Sequence, residues 1–545
     1  MPGGVGRFFQ FLGDQIAPNL GSMWASKRPL VWLLALASGV LAAYAIIAFR
    51  FAIGFLHYPW LGTYLEGNVG TAAAATPWYV LIAVPTFGGL LVGYLLYRFV
   101  PGRRAQAVAD VIEARAVGGA NIPLSQGLWS ATVAALSLGA GASAGREGPA
   151  VHLGATMASA IGRKFSLSGE KRRVILACGA AAAVSASFNA PIAGVLFAHE
   201  VILGHIAISA FAPTAIAAVA ATLITRFHLG DFPAFTIPTY EITSLWEFPA
   251  FALLGVTCGA VALCFQFSVM IADHAARSFT VPLWVRPAIG GMMVGIIAVF
   301  VPDVLGVGYE ATDRALHQLI PLGGLFILLF AKTAATAITL ASRFGGGVFS
   351  PAIYLGAMTG GIFGYIAASV FPNLASSDGL YAILGMGGVA GAVLGAPIST
   401  VLIAFELTGG YQMTIALLIT VSIASVMLQA VHGQSIFHWQ LNQRGLFLNE
   451  GPHKEVVRRW KVKDFMTELS AEDLETPPVV DPDAPMLTPE DTLESALRAF
   501  NRNSDPRIPV VSATDASKIV AWAIHLDALR TYNQALVDSH VEEHR

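Results

Sequence analysis

Two stretches of the chain, Ala190-Pro191-Ile192-Ala193-Gly194-Val195-Leu196-Phe197-Ala198-His199-Glu200 and Ala396-Pro397-Ile398-Ser399-Thr400-Val401-Leu402-Ile403-Ala404-Phe405-Glu406, read as one pattern, APIxxVLxAxE. Upstream of each copy a Gly-rich break runs into proline: Gly145-Arg146-Glu147-Gly148-Pro149 in the first case, Gly345-Gly346-Gly347-Val348-Phe349-Ser350-Pro351 in the second. The spacing from break to repeat is similar, 42 residues from Pro149 to Pro191 and 46 from Pro351 to Pro397. Duplicated halves with paired broken helices are the arrangement that membrane transport folds place around a midplane site.

The surrounding composition agrees. The 545 residues are 55% hydrophobic and 12% charged, with a mean hydropathy of +0.64, too apolar for an ordinary water-soluble domain. Charge is concentrated at one end. Residues 451–545 hold 28 of the 66 Lys, Arg, Asp and Glu side chains and carry a net charge of −6, against +4 for the rest. The chain therefore reads as a cytoplasmic N-terminal segment (1–28), a transmembrane domain (29–448) and a polar tail (449–545). No basic surface for nucleic acid is indicated. Cys178, Cys258 and Cys264 lie in apolar stretches without metal-ligand spacing, so no disulfide, metal site or cofactor is expected. Met1–Lys27 has no short apolar core ending in a cleavage site, and no removable signal is expected there. Arg7, Lys27 and Arg28 before the first apolar run put the N-terminus on the cytoplasmic side of a multi-pass protein.

Apolar runs follow at about 29–56, 77–100, 125–145, 150–162, 173–225, 247–273, 286–303, 319–341, 348–371 and 380–430. Several are shorter than the roughly 20 residues that a helix needs to span a bilayer. Unwound backbone at membrane depth is tolerated where it is buried in protein or lines a wet cavity. A Gly-rich turn with proline at the first helical positions starts a helix whose leading N–H groups lack partners and sit at the positive end of the macrodipole. In a low-dielectric interior, two such starts, at Gly145–Pro149 and Gly347–Pro351, would make an anion site without a bare cation. A cation path would call for acidic rings or carbonyls, and the body has no acidic cluster of that kind. Glu147 stands inside the first break. It has two readings: a carboxylate that occupies the anion position and withdraws when protonated, which is a gate, or an N-cap satisfying backbone donors.

GREGP at 145–149, GVFSP at 347–351, FNAPIAGVLFAHE at 188–200, GAPISTVLIAFELTG at 395–409 and SIFHWQLNQRG at 435–445 together resemble the CLC family of chloride channels and proton/chloride antiporters, over roughly residues 30–448. The resemblance implies an all-α membrane protein of about eighteen broken helices in two inverted halves, working as a homodimer with one chloride pore per subunit. It also implies Glu147 as the external gate, and anion ligands around Gly145, Arg146, Glu147 and Gly148 and around Gly347, Val348 and Phe349.

Three departures matter. The family's first break falls on Ala105-Gln106-Ala107-Val108-Ala109-Asp110, where Gln106 replaces a serine and two glycines and the proline are gone; Ala107 and Ala109 favour helix, which predicts a less open end of the site. The tyrosine that usually faces the central anion is Phe437, which has no hydroxyl to donate. Finally, the acid that follows the LFxxE stretch in many antiporters is Val201 here, so the expectation is a channel-like permease, with a proton-coupled antiporter as the alternative. Glu200 and Glu406, equivalent in the two repeats, read as groups capping neighbouring backbone.

Other motifs are weaker. His199, Glu200 and His205 lack the i, i+4 pairing of a zinc protease. Gly385–Ala390 fits a loose dinucleotide pattern without the preceding strand, and reads as helix packing. Neither gives an enzyme. The tail alternates helical and strand-like runs and resembles one CBS module, with Val462–Thr467 as its lead-in and Asp481–Pro489 as a linker. In its ribose-contacting position, Ile524-His525-Leu526-Asp527, the hydroxyl is missing, so nucleotide binding there is doubtful.

Overall fold

A computed structural model describes residues 28–231, 235, 242, 244–372, 375–408, 410–448, 460–469, 485–502, 505–512 and 518–544. The basic residues Arg7 and Lys27 and the start of the Asp481–Pro489 linker lie outside them. The chain divides into two compact units, one up to Gln440 and one from Leu441.

The first unit is helical. In its first half are α1 (Arg28–Leu61), α2 (Val69–Ala74), α3 (Trp78–Phe99), α4 (Val108–Ala116), α5 (Leu124–Gly139), α6 (Glu147–Lys164), α7 (Gly169–Phe188), α8 (Pro191–Phe197) and α9 (Ile208–Leu229). The second half holds α10 (Phe248–Ser278), α11 (Arg286–Phe300), α12 (Tyr309–Leu316), α13 (Leu322–Ala341), α14 (Phe349–Val370), α15 (Asp378–Leu394), α16 (Pro397–Thr408), α17 (Tyr411–His432) and α18 (Ile436–Asn442). Seven segments among the described residues are long and apolar enough to cross a bilayer, while others, such as Asp378–Leu394 and Pro397–Thr408, are too short. The continuous apolar run at 173–225 is cut into three helices by Asn189-Ala190 and by the turn after Leu203.

The duplication is visible in the packing. α6 lies on α7 through Gly154 and Gly179: a Cβ on Gly154 would meet the Gly179 carbonyl oxygen at 2.5 Å, and one on Gly179 would meet the Gly154 carbonyl at 2.3 Å. In the second half α14 lies on α15 through Gly356 and Gly385, where a Cβ on either would meet the other's carbonyl oxygen at 2.3 Å. Gly385, in the loose dinucleotide pattern, is thus a close-packing residue. α7 and α15 also end alike, in left-handed residues: Asn189 (φ 59°) and Gly395 (φ 65°).

The second unit contains a three-stranded antiparallel sheet in the order β1 (Thr467–Glu468), β3 (Ile519–Ile524), β2 (Arg507–Val511). With it are α19 (Leu493–Arg502) and α20 (His525–His544). Val462, Phe465, Leu493, Phe500, Ile508 and Val510 form its core. The strand and helix expectations for the tail match these elements. Asp527 is paired with Arg530 at 3.4 Å.

Candidate anion site and gate

The two Gly-Pro breaks meet. Gly145 N–H donates to the Gly347 carbonyl and Gly347 N–H to the Gly145 carbonyl, both at 2.7 Å, an isolated antiparallel bridge between the halves. α6 and α14 start at equivalent positions on either side of it, two residues past each bridging glycine. The contact is tight here: a Cβ on Gly347 would lie 3.0 Å from Gly148 N and would press the two starts apart.

The bridge corrects one detail of the sequence reading. The amides of Gly145 and Gly347 are engaged with each other, so they are not free anion donors. The first intrahelical bonds are Ala150 N–H to the Arg146 carbonyl and Ala352 N–H to the Val348 carbonyl, both 3.0 Å. Pro149 and Pro351 have no N–H, so the groups left at the two starts are the amides of Glu147 and Gly148 and of Phe349 and Ser350, with Arg146 and Val348 as the residues entering each helix.

Glu147 is 1% exposed and reaches across the junction. Tyr309, at the start of α12, donates its hydroxyl to Oε1 at 2.5 Å, and Ser350, in the first turn of α14, donates its hydroxyl to Oε2. Arg146 Nε stands 3.8 Å from Oε1, and its guanidinium lies 5.1 Å from the centre of the Tyr309 ring. α6 has no side-chain cap hydrogen bond at its start. The carboxylate of a first-half residue is therefore held by hydroxyls of the second half, not by the backbone donors of its own helix. Tyr309 follows a loop fixed by Lys332, a fully buried lysine of α13 that donates to the carbonyls of Val304 and Gly306 at 3.0 and 2.9 Å.

Glu200 and Glu406 contrast with this. Glu406 accepts from the backbone N–H of Ile192 and Ala193 at 3.0 and 2.7 Å, at the start of α8. Glu200 accepts from the N–H of Ile398 and Ser399 at 3.0 and 2.8 Å, and from the Ser399 hydroxyl, at the start of α16. Each repeat caps the other. His199, the zinc-like histidine, is bonded to Ala207 N–H at 3.2 Å and lies 3.4 Å from the Thr214 hydroxyl.

The third helix start, α4, approaches the bridge: Ala107 Cβ lies 3.3 Å from where a Gly148 Cβ would stand. The break is kept without glycine or proline. Ala107 is extended (φ −146°, ψ −153°), and its N–H is taken by Asp110 Oδ2 at 2.9 Å, while Arg104 holds Oδ1 at 2.5 Å. Here a side chain does what composition did not suggest, and a carboxylate already occupies this start. Gln106 donates its backbone N–H to Ser130 Oγ at 2.7 Å, and its side-chain Oε1 is buried without a partner. Phe349 packs against Phe188 and Phe197, with ring centres at 5.0 and 6.2 Å, and Phe437 is buried in the first turn of α18.

Sequence reasoning missed Tyr309, which lies 162 residues from Glu147, and gave Ser350 no role although it sits inside the GVFSP motif.

Short helices, unwound starts and a buried carboxylate at the junction of inverted halves define a membrane protein built around an ion path. A family model described as voltage gated chloride channel matches residues 88–429. A putative ClcB-like chloride channel protein of Ralstonia nicotianae is 34% identical over 409 residues, covering 73% of this chain and 94% of the relative. The voltage-gated ClC-type chloride channel ClcB of Escherichia coli is 30% identical, covering 74% and 97%. Among solved structures, a slow cyanobacterial Cl−/H+ antiporter superposes with a TM-score of 0.67 at 23% identity, covering 76% of this chain and 97% of the other, and so supports the fold. A eukaryotic CLC transporter gives 0.64 at 17% identity, covering 92% and 88%. The chain belongs to the CLC family of chloride channels and antiporters. It is a multi-pass membrane transport protein and not an enzyme.

Proposed function

We propose that this protein conducts chloride across a cell membrane through one pore in each subunit of a homodimer, with Glu147 as the gate. The observation that carries the reading is the Glu147 carboxylate held by two hydroxyls at the meeting point of two helix starts. Hydroxyl donors exchange readily with a competing anion, and protonation of the carboxylate weakens both bonds. The vacated place would be faced by the amides of Glu147, Gly148, Phe349 and Ser350, with Arg146 and Val348 beside them. Gln106 and Phe437 would line the inner part of the path.

Val201 favours a channel over a proton-coupled antiporter, because an aliphatic side chain relays no proton and both oxygens of Glu200 are engaged in capping α16. The names of the bacterial relatives agree with chloride as the permeant ion. The dimer reading is supported by apolar side chains that α8, α9, α16 and α17 leave at the surface: Ile192, Ile208, Ile398 and Tyr411. Our reading puts both termini in the cytoplasm, with the tail as a CBS-like structural module.

The test is chloride flux from liposomes under a chloride gradient, with an external pH electrode. Glu147→Gln is expected to give flux without pH dependence; unaltered pH dependence would overturn the gate. Stoichiometric uphill proton movement in the wild type would overturn the channel reading in favour of the antiporter.

A further inference from the structure

A second acid stands behind Glu147. Glu66 lies in a one-turn segment, Glu66–Asn68, between α1 and α2, and is 8% exposed. Its Oε2 is ion-paired with Arg146 Nη1 and lies 4.0 Å from Arg50 Nε, while its Oε1 is buried without a hydrogen-bond partner. Arg146 turns its Nε towards Glu147 at 3.8 Å. One guanidinium thus stands between two carboxylates. The neighbouring acids are occupied elsewhere: Glu310 accepts from Thr71 N–H at 3.1 Å, and Asp303 pairs with Arg314 at 2.6 Å.

We propose that Glu66 is a second carboxylate of the gate, a positioning residue that shares Arg146 with Glu147 and so sets the pH at which Glu147 releases. The proposal rests on the gate reading of Glu147. The groups around Glu66 are Arg50 and His57 from α1, Arg146 and Glu147 from the entry to α6, and Tyr309 from α12. Glu147 faces Arg146, Tyr309 and Ser350. An opposite charge favours the ionised form of an acid and a like charge disfavours it. With Glu66 present, Arg146 is divided between two anions, and a second negative charge stands near the gate. Without it, Arg146 serves Glu147 alone, the ionised and closed state gains, and more acid is needed to open the path.

The experiment is pH-dependent chloride flux of the full-length protein in liposomes. Glu66→Gln is expected to move the half-activation pH to the acid side by about one unit, a tenfold rise in the proton concentration required. Glu66→Asp, which keeps the charge, should return the midpoint towards the wild type. In a Glu147→Gln background, Glu66→Gln should change nothing, because no titrating gate remains. Arg50→Gln reads the same network with the opposite sign: Glu66 then draws more on Arg146, and the midpoint should move to the alkaline side, which keeps the test open if Glu66→Gln does not accumulate. A wild-type midpoint in Glu66→Gln, or in Arg50→Gln, would overturn the proposal. Failure of the gate itself is distinct, since Glu147→Gln alone would then retain its pH dependence.

Discussion

The two helix starts that meet at the Gly145–Gly347 bridge have the same backbone and opposite chemistry. α6 and α14 begin two residues past the bridging glycine, each with proline in the first turn. At equivalent places the first carries Arg146, Glu147 and Gly148, and the second Val348, Phe349 and Ser350. Glu147 projects into the second start, where Ser350 receives it, whereas Phe349 turns into an aromatic cluster with Phe188 and Phe197. Glu200 and Glu406 show the reverse case, with side chain and role duplicated together. Where the halves agree, the residue supports the scaffold; where they differ lies the proposed gate.

The largest effect that would break this division concerns the matched pair. Glu200→Ala and Glu406→Ala each leave two helix-start N–H groups without their carboxylate, at a cost of about 2 kcal/mol each in the folded protein. Thermal unfolding in detergent should show losses of similar size, the larger for Glu200, which also holds the Ser399 hydroxyl, and the pH profile of flux should stay in place for both. A selective loss of transport in Glu200→Ala alone would mark that residue as functional and break the symmetry argument.

A smaller effect sharpens the unmatched pair. Tyr309→Phe and Ser350→Ala each remove one hydroxyl from the Glu147 carboxylate. Hydrogen bonds to charged groups contribute roughly 1.5–3 kcal/mol, and one pH unit corresponds to about 1.4 kcal/mol. Each substitution should therefore move the half-activation pH of flux to the alkaline side by about a unit, opposite in sign to Glu66→Gln. An acid shift would mean that these hydroxyls hold the neutral form.

The smallest effect lies in the tail and serves as a control on buried versus exposed acids. Hydrogen bonds from Lys461 and Lys463 pull the Glu490 carboxyl down to about 2. A depressed carboxylate contributes stability that is present above the ordinary carboxylate range and is lost as pH falls towards that lowered value. Because Glu490 is exposed, salt screens the contribution. Glu490→Gln should leave the flux profile unchanged, and any change in thermal unfolding at neutral pH should vanish at about 1 M salt.

Much of this architecture is legible along the chain because its signals are local. Gly-rich breaks followed by Pro149 and Pro351, the APIxxVLxAxE repeat and the intramembrane Glu147 inside the first break each announce themselves within a few residues. The partners of those features are not local. Nothing around Tyr309 or Glu66 in sequence says that one will donate to Glu147 and the other will hold Arg146. The capping role of Glu200 and Glu406 was readable, but the exchange between halves needed the fold. At 105–110 the intrinsic preference of alanine for helix was overridden by a single side chain, Asp110, which supplies the acceptor that lets Ala107 stay extended.

The exchange of caps bears on how the protein is made. The start of α8 waits for a carboxylate that the ribosome adds 214 residues after Ile192. Until Glu406 emerges, the earlier half carries exposed amides in an apolar surrounding, and neither half completes its own helix starts. Synthesis of the later half is thus the step that closes the earlier one, and a chain halted before that point should remain a substrate for membrane quality control.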